Sequence, residues 1–432
     1  MYRSIPHLPI NLTRLHSLYR YNQFVSSSII TFATTTTTAQ TYPSNKSNIP
    51  TRHPPPSVNI PTDKLLFTPG PLTTSYTVKH AMLHDVGSRD QKFIDIIQNV
   101  RNELVVLAGV SSNDYTSIPI QGSGTYGVES VLCSAVHRRN GVLIIVNGLY
   151  GERMVNICRQ HHIPHYVHQV SDSRTYDFAA VEKLLNNDAC NVSHIAVVHS
   201  ETTSGIINDL DSIGELATKY GKSYIVDAMG SFGAVPINFD SSGIDYLISS
   251  SDKCIESVPG FSYVIARISK LERECKNNSS SLALDLYSQY SGLQSNGQFR
   301  YTPPTHSILA FQQALNELIQ EGGVDARSTR YQQNHDIVDH GMKSLGFERY
   351  VSDELQGYII TSYKYPIDSQ WNFDTFYNQL NELGYVIYPG KVSKTDCFRI
   401  GHIGRIFPED SKNLINAIDQ VCKSMKTAKY AK

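Results

Sequence analysis

The chain's 432 residues are 40% apolar and 18% charged, with 38 basic against 39 acidic side chains for a formal net charge of -1. That length is a prior for two or three domains with ample apolar content for a large core. The balanced charge, with no basic stripe in the main body, argues against nucleic acid or an anionic membrane surface as partner and for small molecules. Seven scattered cysteines, never in C-x-x-C, argue for reduced thiols rather than a disulfide framework or zinc site, and no apolar run approaches the roughly 20 residues of a membrane span.

Residues 1–60 differ from the rest. They contain no Asp or Glu, carry Arg3, Arg14, Arg20, Lys46 and Arg52, and include "TTTTT" at 34–38. "INLTRLHSLYRYNQF" can place Leu and Ile on one helical face with Arg and His on another, and "TRHPPPSVNIP" reads as a stiff connector. The expectation is a transit peptide and linker over 1–60, with import into the mitochondrial matrix.

From 117 the chain alternates strand and helix. "SIPI" leads into a helix from 124, "VLIIV" into "ERMVNICRQH", "HYVHQV" into "FAAVEKLLNN" and "HIAVVHS" into "SIGELATKYG", followed by "SYIVDAM". This predicts an α/β fold with a largely parallel sheet covered by helices. "YLISSS" and "FSYVIAR" follow with no long helix between them. From about 325 long helices interleave with "GYIITSYKY" and "CFRIG", so the expected division is a large domain over 61–325 and a smaller α+β domain over 326–432.

Such sheets bind ligands beyond the carboxyl ends of their strands. The first strand ends in "QGSGTYG", a G-x-G-x-x-G of Gly122, Gly124 and Gly127. A nucleotide-binding reading needs an acid at the end of the next strand, where Asn147 stands; an anion at the helix N-terminus and close packing both remain open. "HSETTSG" (199–205) follows the fourth strand, Asp227 ends "SYIVDAM", and Lys253 comes shortly after "YLISSSD". Singly each has an ordinary structural explanation. Together they fit pyridoxal 5'-phosphate, which needs a lysine amine, a carboxylate for its ring nitrogen and a backbone-lined phosphate cup.

The motifs "LLFTPGPLTTSYTVKHAML", "DVGSRDQKF", "QGSGTYGVESVL", "NGLYGERM", "HSETTSG", "YIVDAMGSFG", "IDYLISSSDKCIESVPGF", "FRYTPPTH", "GGVDARSTRYQQN" and "VIYPGKVSKTDCFRIGHIG", in this order over about 62–426, resemble the class V, fold type I aminotransferases. The resemblance implies that Lys253 bonds the cofactor and Asp227 pairs with its ring nitrogen. It implies that Ser123, Gly124 and Thr125 bind the phosphate, Tyr150 stacks on the ring and Thr202 reaches the ring hydroxyl. Thr302 would reach the phosphate across a homodimer interface, and Arg399 would grip the substrate's acidic group. The implied activity moves the amino group of 2-aminoethylphosphonate to pyruvate, giving phosphonoacetaldehyde and L-alanine; alanine:glyoxylate or serine:pyruvate transamination is the alternative. Gly230 stands where the family usually has serine. The four histidines of "HHIPHYVH" (161–168) would point in different directions and are read as structural, so no metal is expected. Cys397 lies two residues before Arg399 within a motif of the resemblance, which weakens a cysteine-desulfurase reading.

Overall fold

A computed structural model describes residues 63–426 except 172–175, 188–189, 369–370 and 393–394. The expected presequence and linker, 1–60, lie outside the described residues. Helix α1 (Gln91–Leu107) starts where the Asp90 side chain accepts from the Lys92 N–H, and Phe93, Ile97, Val100 and Leu104 recur at helical spacing on its buried face. There follow β1 (Tyr115–Gln121), α2 (Gly124–Ala135), β2 (Gly141–Val146), α3 (Leu149–Gln160), β3 (His165–Gln169), α4 (Phe178–Leu185), β4 (Val192–Val198), α5 (Leu210–Lys219), β5 (Ser223–Asp227), β6 (Tyr246–Ser250) and β7 (Phe261–Arg267).

These seven strands form one sheet in the order β1-β7-β6-β5-β4-β2-β3. β3, β2, β4, β5 and β6 run parallel, and β7 is antiparallel to both its neighbours, β6 and β1. β2, β5 and β6 are buried along their whole length. Burial on both faces explains why they read as continuous apolar runs rather than alternating ones. The antiparallel return of β7 explains the missing helix between "YLISSS" and "FSYVIAR": the connection is a short loop, and Lys253 lies on it.

Helix α6 (Thr305–Glu321) packs Ile308, Phe311 and Leu315 into the core of this sheet, and a second layer contains α7 (Gly323–Ser344), β8 (Ile360–Lys364), α8 (Phe373–Glu382), β9 (Tyr388–Val392), β10 (Thr395–Gly401) and α9 (Pro408–Ser424). β8, β10 and β9 make an antiparallel sheet, with Ser362 opposite Arg399. Phe67, Val338, Met342, Phe376, Phe398, Ile400 and Ile418 fill the core beneath it. α6 and α7 do not merge into one rod, because Gly322 and Gly323 take φ of +115° and +78° between them, conformations that cost little only for glycine.

α7 also carries charge into the interior. Arg327 is wholly buried. It donates to Glu321 at 2.8 Å and to the Cys254 carbonyl at 2.6 Å. Arg330 bonds Glu256 at 2.6 Å and Glu321 at 2.7 Å, and the Tyr331 hydroxyl donates to Glu256 at 2.6 Å. Cys254 and Glu256 belong to the loop of Lys253, whose carbonyl accepts from the Glu256 N–H at 2.7 Å. Each arginine meets both acids, so truncating one member leaves three buried charges that no longer balance. Glu256→Ala or Arg327→Ala is therefore expected to lower unfolding free energy by about 3–5 kcal/mol in urea titrations, against under about 1 kcal/mol for Lys412→Ala in the solvated Lys412–Glu409 pair. Equal, small losses in both would show that the cluster does not anchor α7.

Candidate active site

The candidate residues collect at the carboxyl ends of β1, β2, β4 and β5 and on the loop after β6. At the β1–α2 turn the three glycines do different work. Gly122 has φ +105° and bonds its N–H to the Gly260 carbonyl at 3.1 Å. A Cβ on Gly124 would overlap Met229 Sδ, and one on Gly127 would come within 2.9 Å of Ile248 Cγ2 and Ser262 Oγ. Close packing thus accounts for Gly124 and Gly127, yet the turn remains an anion cradle. Ser123 is the N-cap of α2 and its side chain makes no capping bond, while first-turn N–H groups have no acceptor within a helix.

Lys253 is half-buried, and its Nζ donates to the carbonyls of Pro69 at 2.9 Å and Gly70 at 3.1 Å. Gly70 has φ +107°, and a Cβ there would lie 2.6 Å from Lys253 Nζ; the "TPGP" glycine is what lets backbone approach the amine this closely. Asp227 ends β5 with 3% of its surface exposed and accepts from the Met229 N–H at 3.0 Å. Burial pushes its carboxyl up to about 7, with Glu201 adding to the rise and the Met229 N–H, Arg153 and Lys253 opposing it.

Tyr150 sits in the first turn of α3. Beneath it the fully buried Glu201 carboxylate accepts from the Tyr150 N–H at 3.3 Å, the Thr203 N–H at 3.2 Å and the Thr203 hydroxyl. Gly148 gives this carboxylate room, since a Cβ there would overlap it. The next residue, Thr202, offers its carbonyl to Arg399 Nη1 at 2.9 Å, and Arg399 Nη2 donates to the Pro389 carbonyl at 3.2 Å. Arg399 is 8% exposed, its Nε is buried without a partner, and no carboxylate pairs with it among the described residues. Burial lowers its pKa from the ordinary arginine value. Gly230 also has a local reason: a serine Cβ would press within 3.0 Å of Thr202 Cγ2 and 3.2 Å of Ser200.

Residues 71–366, more than half of the chain, match the description Aminotransferase class-V. A 2-aminoethylphosphonate--pyruvate transaminase of Salmonella typhimurium is 51% identical over 356 residues, 82% of this chain and 96% of its own length. The chain belongs to the class-V aminotransferases. In three dimensions this aminotransferase resembles alanine--glyoxylate aminotransferase from Nostoc (TM-score 0.76, 24% identity, 86% of this chain and 98% of that one). It also resembles pyridoxamine-pyruvate aminotransferase from Mesorhizobium loti (TM-score 0.77, 21% identity, 85% and 94%). The expected fold type I architecture of the pyridoxal-phosphate-dependent transferases agrees with both. One expectation is corrected: the mitochondrial matrix location and transit peptide are overturned by the Salmonella relative, a bacterial protein from a cell without mitochondria. That expectation rested on composition and on the helical pattern of "INLTRLHSLYRYNQF", and neither an acid-free, Ser/Thr-rich stretch with spaced arginines nor a short amphipathic pattern is unique to import signals.

Thr302 is exposed on the segment leading into α6, and no hydrogen bond joins it to the other candidates among the described residues. The histidines go separate ways: His161 to Glu129 and Ser280, His165 to the Ile163 carbonyl, and His168 into the interior. A cavity of about 600 Å³ lined by His137, His194, Lys222, Arg273 and Glu274 opens at the amino ends of β4 and β5, away from Lys253, and lies at the wrong end of a parallel sheet for its ligand. Sequence reasoning missed Glu201 and Arg153. Glu201 was visible inside "HSETTSG" as the one acid among Ser and Thr, and Arg153 inside "NGLYGERM".

The raised Asp227 carboxyl has a consequence for stability. Folded, it titrates near 7; unfolded, near the ordinary 3.8. Between those values the folded chain keeps a proton that the unfolded chain has lost, so this residue's contribution falls as pH rises from about 4 to about 7. In cofactor-free protein, Asp227→Asn is expected to raise Tm over the parent at pH 7.5 and to lose the advantage toward pH 4. A Tm difference independent of pH would contradict the assignment.

Proposed function

We propose that the chain binds pyridoxal 5'-phosphate and transfers the amino group of 2-aminoethylphosphonate to pyruvate, giving phosphonoacetaldehyde and L-alanine. The observation that carries the substrate reading is Arg399: a nearly buried guanidinium that lies over the Tyr388 ring and bonds two carbonyls, with its Nε buried without a partner and no carboxylate paired to it among the described residues, is a charge in want of an anion. The identity to the Salmonella transaminase supports this over alanine:glyoxylate or serine:pyruvate transamination. The residues fit the cofactor too. The β1–α2 turn offers unpaired donors for a phosphate, the buried Asp227 gains from a cationic N–H set against it, and Lys253 is held by carbonyls rather than neutralised by a carboxylate.

When bound, pyridoxal phosphate supplies an electron sink for the electrons of a broken C–H bond. In this reading Lys253 would hold the cofactor through Nζ, and the same nitrogen, once free, would take the proton from the donor's amino-bearing carbon and pass it to the cofactor, with the reverse transfer giving pyruvate's carbon its proton in the second half-reaction. Asp227 keeps the ring nitrogen protonated. Ser123, Gly124 and Thr125 hold the phosphate, Tyr150 covers the ring face and Thr202 meets the ring hydroxyl. Arg399 orients the phosphonate of the donor and then the carboxylate of pyruvate. Thr302 reaches the phosphate of a second subunit, so the active form is a homodimer. We also read 61–325 as the large domain and 326–432 as the small one.

Purified protein supplied with pyruvate is expected to form alanine from 2-aminoethylphosphonate much faster than it exchanges amino groups between L-alanine and glyoxylate or L-serine and pyruvate; the reverse order would reject the substrate assignment. Arg399→Ala should lower kcat/KM by about 30- to 1000-fold, a loss of about 2–4 kcal/mol of charge-assisted binding. Because donor and acceptor use the same fork in turn, single-turnover measurements should show both half-reactions impaired, and Arg399→Lys, which keeps charge without the planar fork, impaired in both to a lesser degree. A defect confined to the pyruvate half would place the phosphonate elsewhere.

A further inference from the structure

Arg153 follows Tyr150 by three residues on α3, so both side chains rise from one face of that helix. Its guanidinium carbon lies 4.7 Å from the centroid of the Tyr150 ring, and its Nη1 donates to Thr125 Oγ1 at 3.0 Å. Among the described residues no carboxylate pairs with it. One exposed arginine therefore touches two groups assigned to the cofactor, on two different helices. The hydrogen bond to Thr125 has a direction that matters. Arginine has no acceptor, so the threonine hydroxyl must accept from it and turn its own proton elsewhere. A hydroxyl that accepts from a cation on one side is a stronger donor on the other.

We infer that Arg153 is a positioning residue for the cofactor: it fixes the Thr125 hydroxyl as a donor into the phosphate cup, adds positive charge at the cup's rim and braces the Tyr150 ring. This rests on the proposed cofactor and deepens it, since Ser123, Gly124 and Thr125 alone bring no charge to a phosphate that carries close to two. The cup's other resource, the α2 N-terminus, supplies only partial charge. Lysine in place of Arg153 would keep the charge but lose the planar group that lies over Tyr150 while one arm reaches Thr125.

The test is a binding titration of cofactor-free protein, followed by absorbance and by equilibrium dialysis, with pyridoxal phosphate and with pyridoxal, which lacks the phosphate. Arg153→Ala is expected to weaken pyridoxal phosphate binding about tenfold or more and pyridoxal binding less than about threefold, with Arg153→Lys between parent and Arg153→Ala. In a Thr125→Val background the further loss on Arg153→Ala should shrink, because part of the effect travels through that hydroxyl. Thermal melts of each variant separate weakened binding from a damaged fold. Unchanged affinity for pyridoxal phosphate in Arg153→Ala would overturn this inference alone, as would equal losses for the two ligands, which would mean the residue merely supports the fold. Failure of the parent chain to bind pyridoxal phosphate would overturn the proposed function and this inference together.

Discussion

The loop that presents Lys253 is held from behind by buried charge. Arg327 and Arg330 reach from α7 to Glu256, Glu321 and the Cys254 carbonyl, and Glu256 itself sits at φ +63°, a backbone region that a non-glycine residue occupies only when its surroundings insist. Desolvating four ionised groups is expensive, and apolar packing of the same volume would stabilise the fold as well or better. What ionic bonds add is direction: each fixes a distance and an angle, and here they fix the peptide units on either side of Glu256 relative to a long helix. From the front, the carbonyls of Pro69 and Gly70 fix the amine. The lysine is thus clamped at both ends, and among the described residues no carboxylate pairs with its amine.

A second tie joins the two sheets through residues 200–204. Glu201 holds the first turn of α3, and with it Tyr150. The Thr202 carbonyl holds Arg399, and the Thr203 carbonyl accepts from Ser362 Oγ at 2.9 Å. Ser362 and Arg399 face one another across the β8–β10 ladder, so the small sheet is fastened to this segment at adjacent residues. A shift of that sheet moves Arg399 with the Thr202 backbone rather than past it. The placement of Arg399 relative to Tyr150 is therefore set by main-chain hydrogen bonds through residues 201–203.

Much of this was legible in the sequence because burial leaves a plain trace in apolar residues. "VLIIV" and "SYIVD" read as central parallel strands since only full burial on both faces tolerates such runs, and the position of polar residues at their carboxyl ends then singled out Asp227 and Lys253. The antiparallel direction of β7 was not legible, because strand direction is decided by the connection and not by the strand's own residues. Nor were the buried charges. Glu256 meets Arg330 74 residues away, and Glu201 meets Tyr150 51 residues away. A charged residue looks the same in sequence whether solvated or paired, so its burial is known only once its partner is brought to it. The Gly124 and Gly127 positions show the opposite case: the glycines were visible, but whether they served a ligand or packing needed Met229, Ile248 and Ser262 in place.

The site's electrostatics follow from placing both acids where water is absent. Burial presses both acids toward the neutral form; hydrogen bonds from Thr203, Tyr150 and Gly151 offset this at Glu201, while the Met229 N–H is the hydrogen bond that offsets it at Asp227. The two acids also raise each other's cost of ionisation, so a site lacking a cation opposite Asp227 sits above its lowest free energy. Arg153 and Lys253 offset this only partly. A ligand bearing a positively charged N–H would relieve the aspartate and be held by that relief, gaining affinity from a penalty already present in the folded chain. The stress is located at the carboxyl end of β5, and so the same burial that makes the sheet's core stable is what would make the carboxyl end of its central strand receptive to a cation.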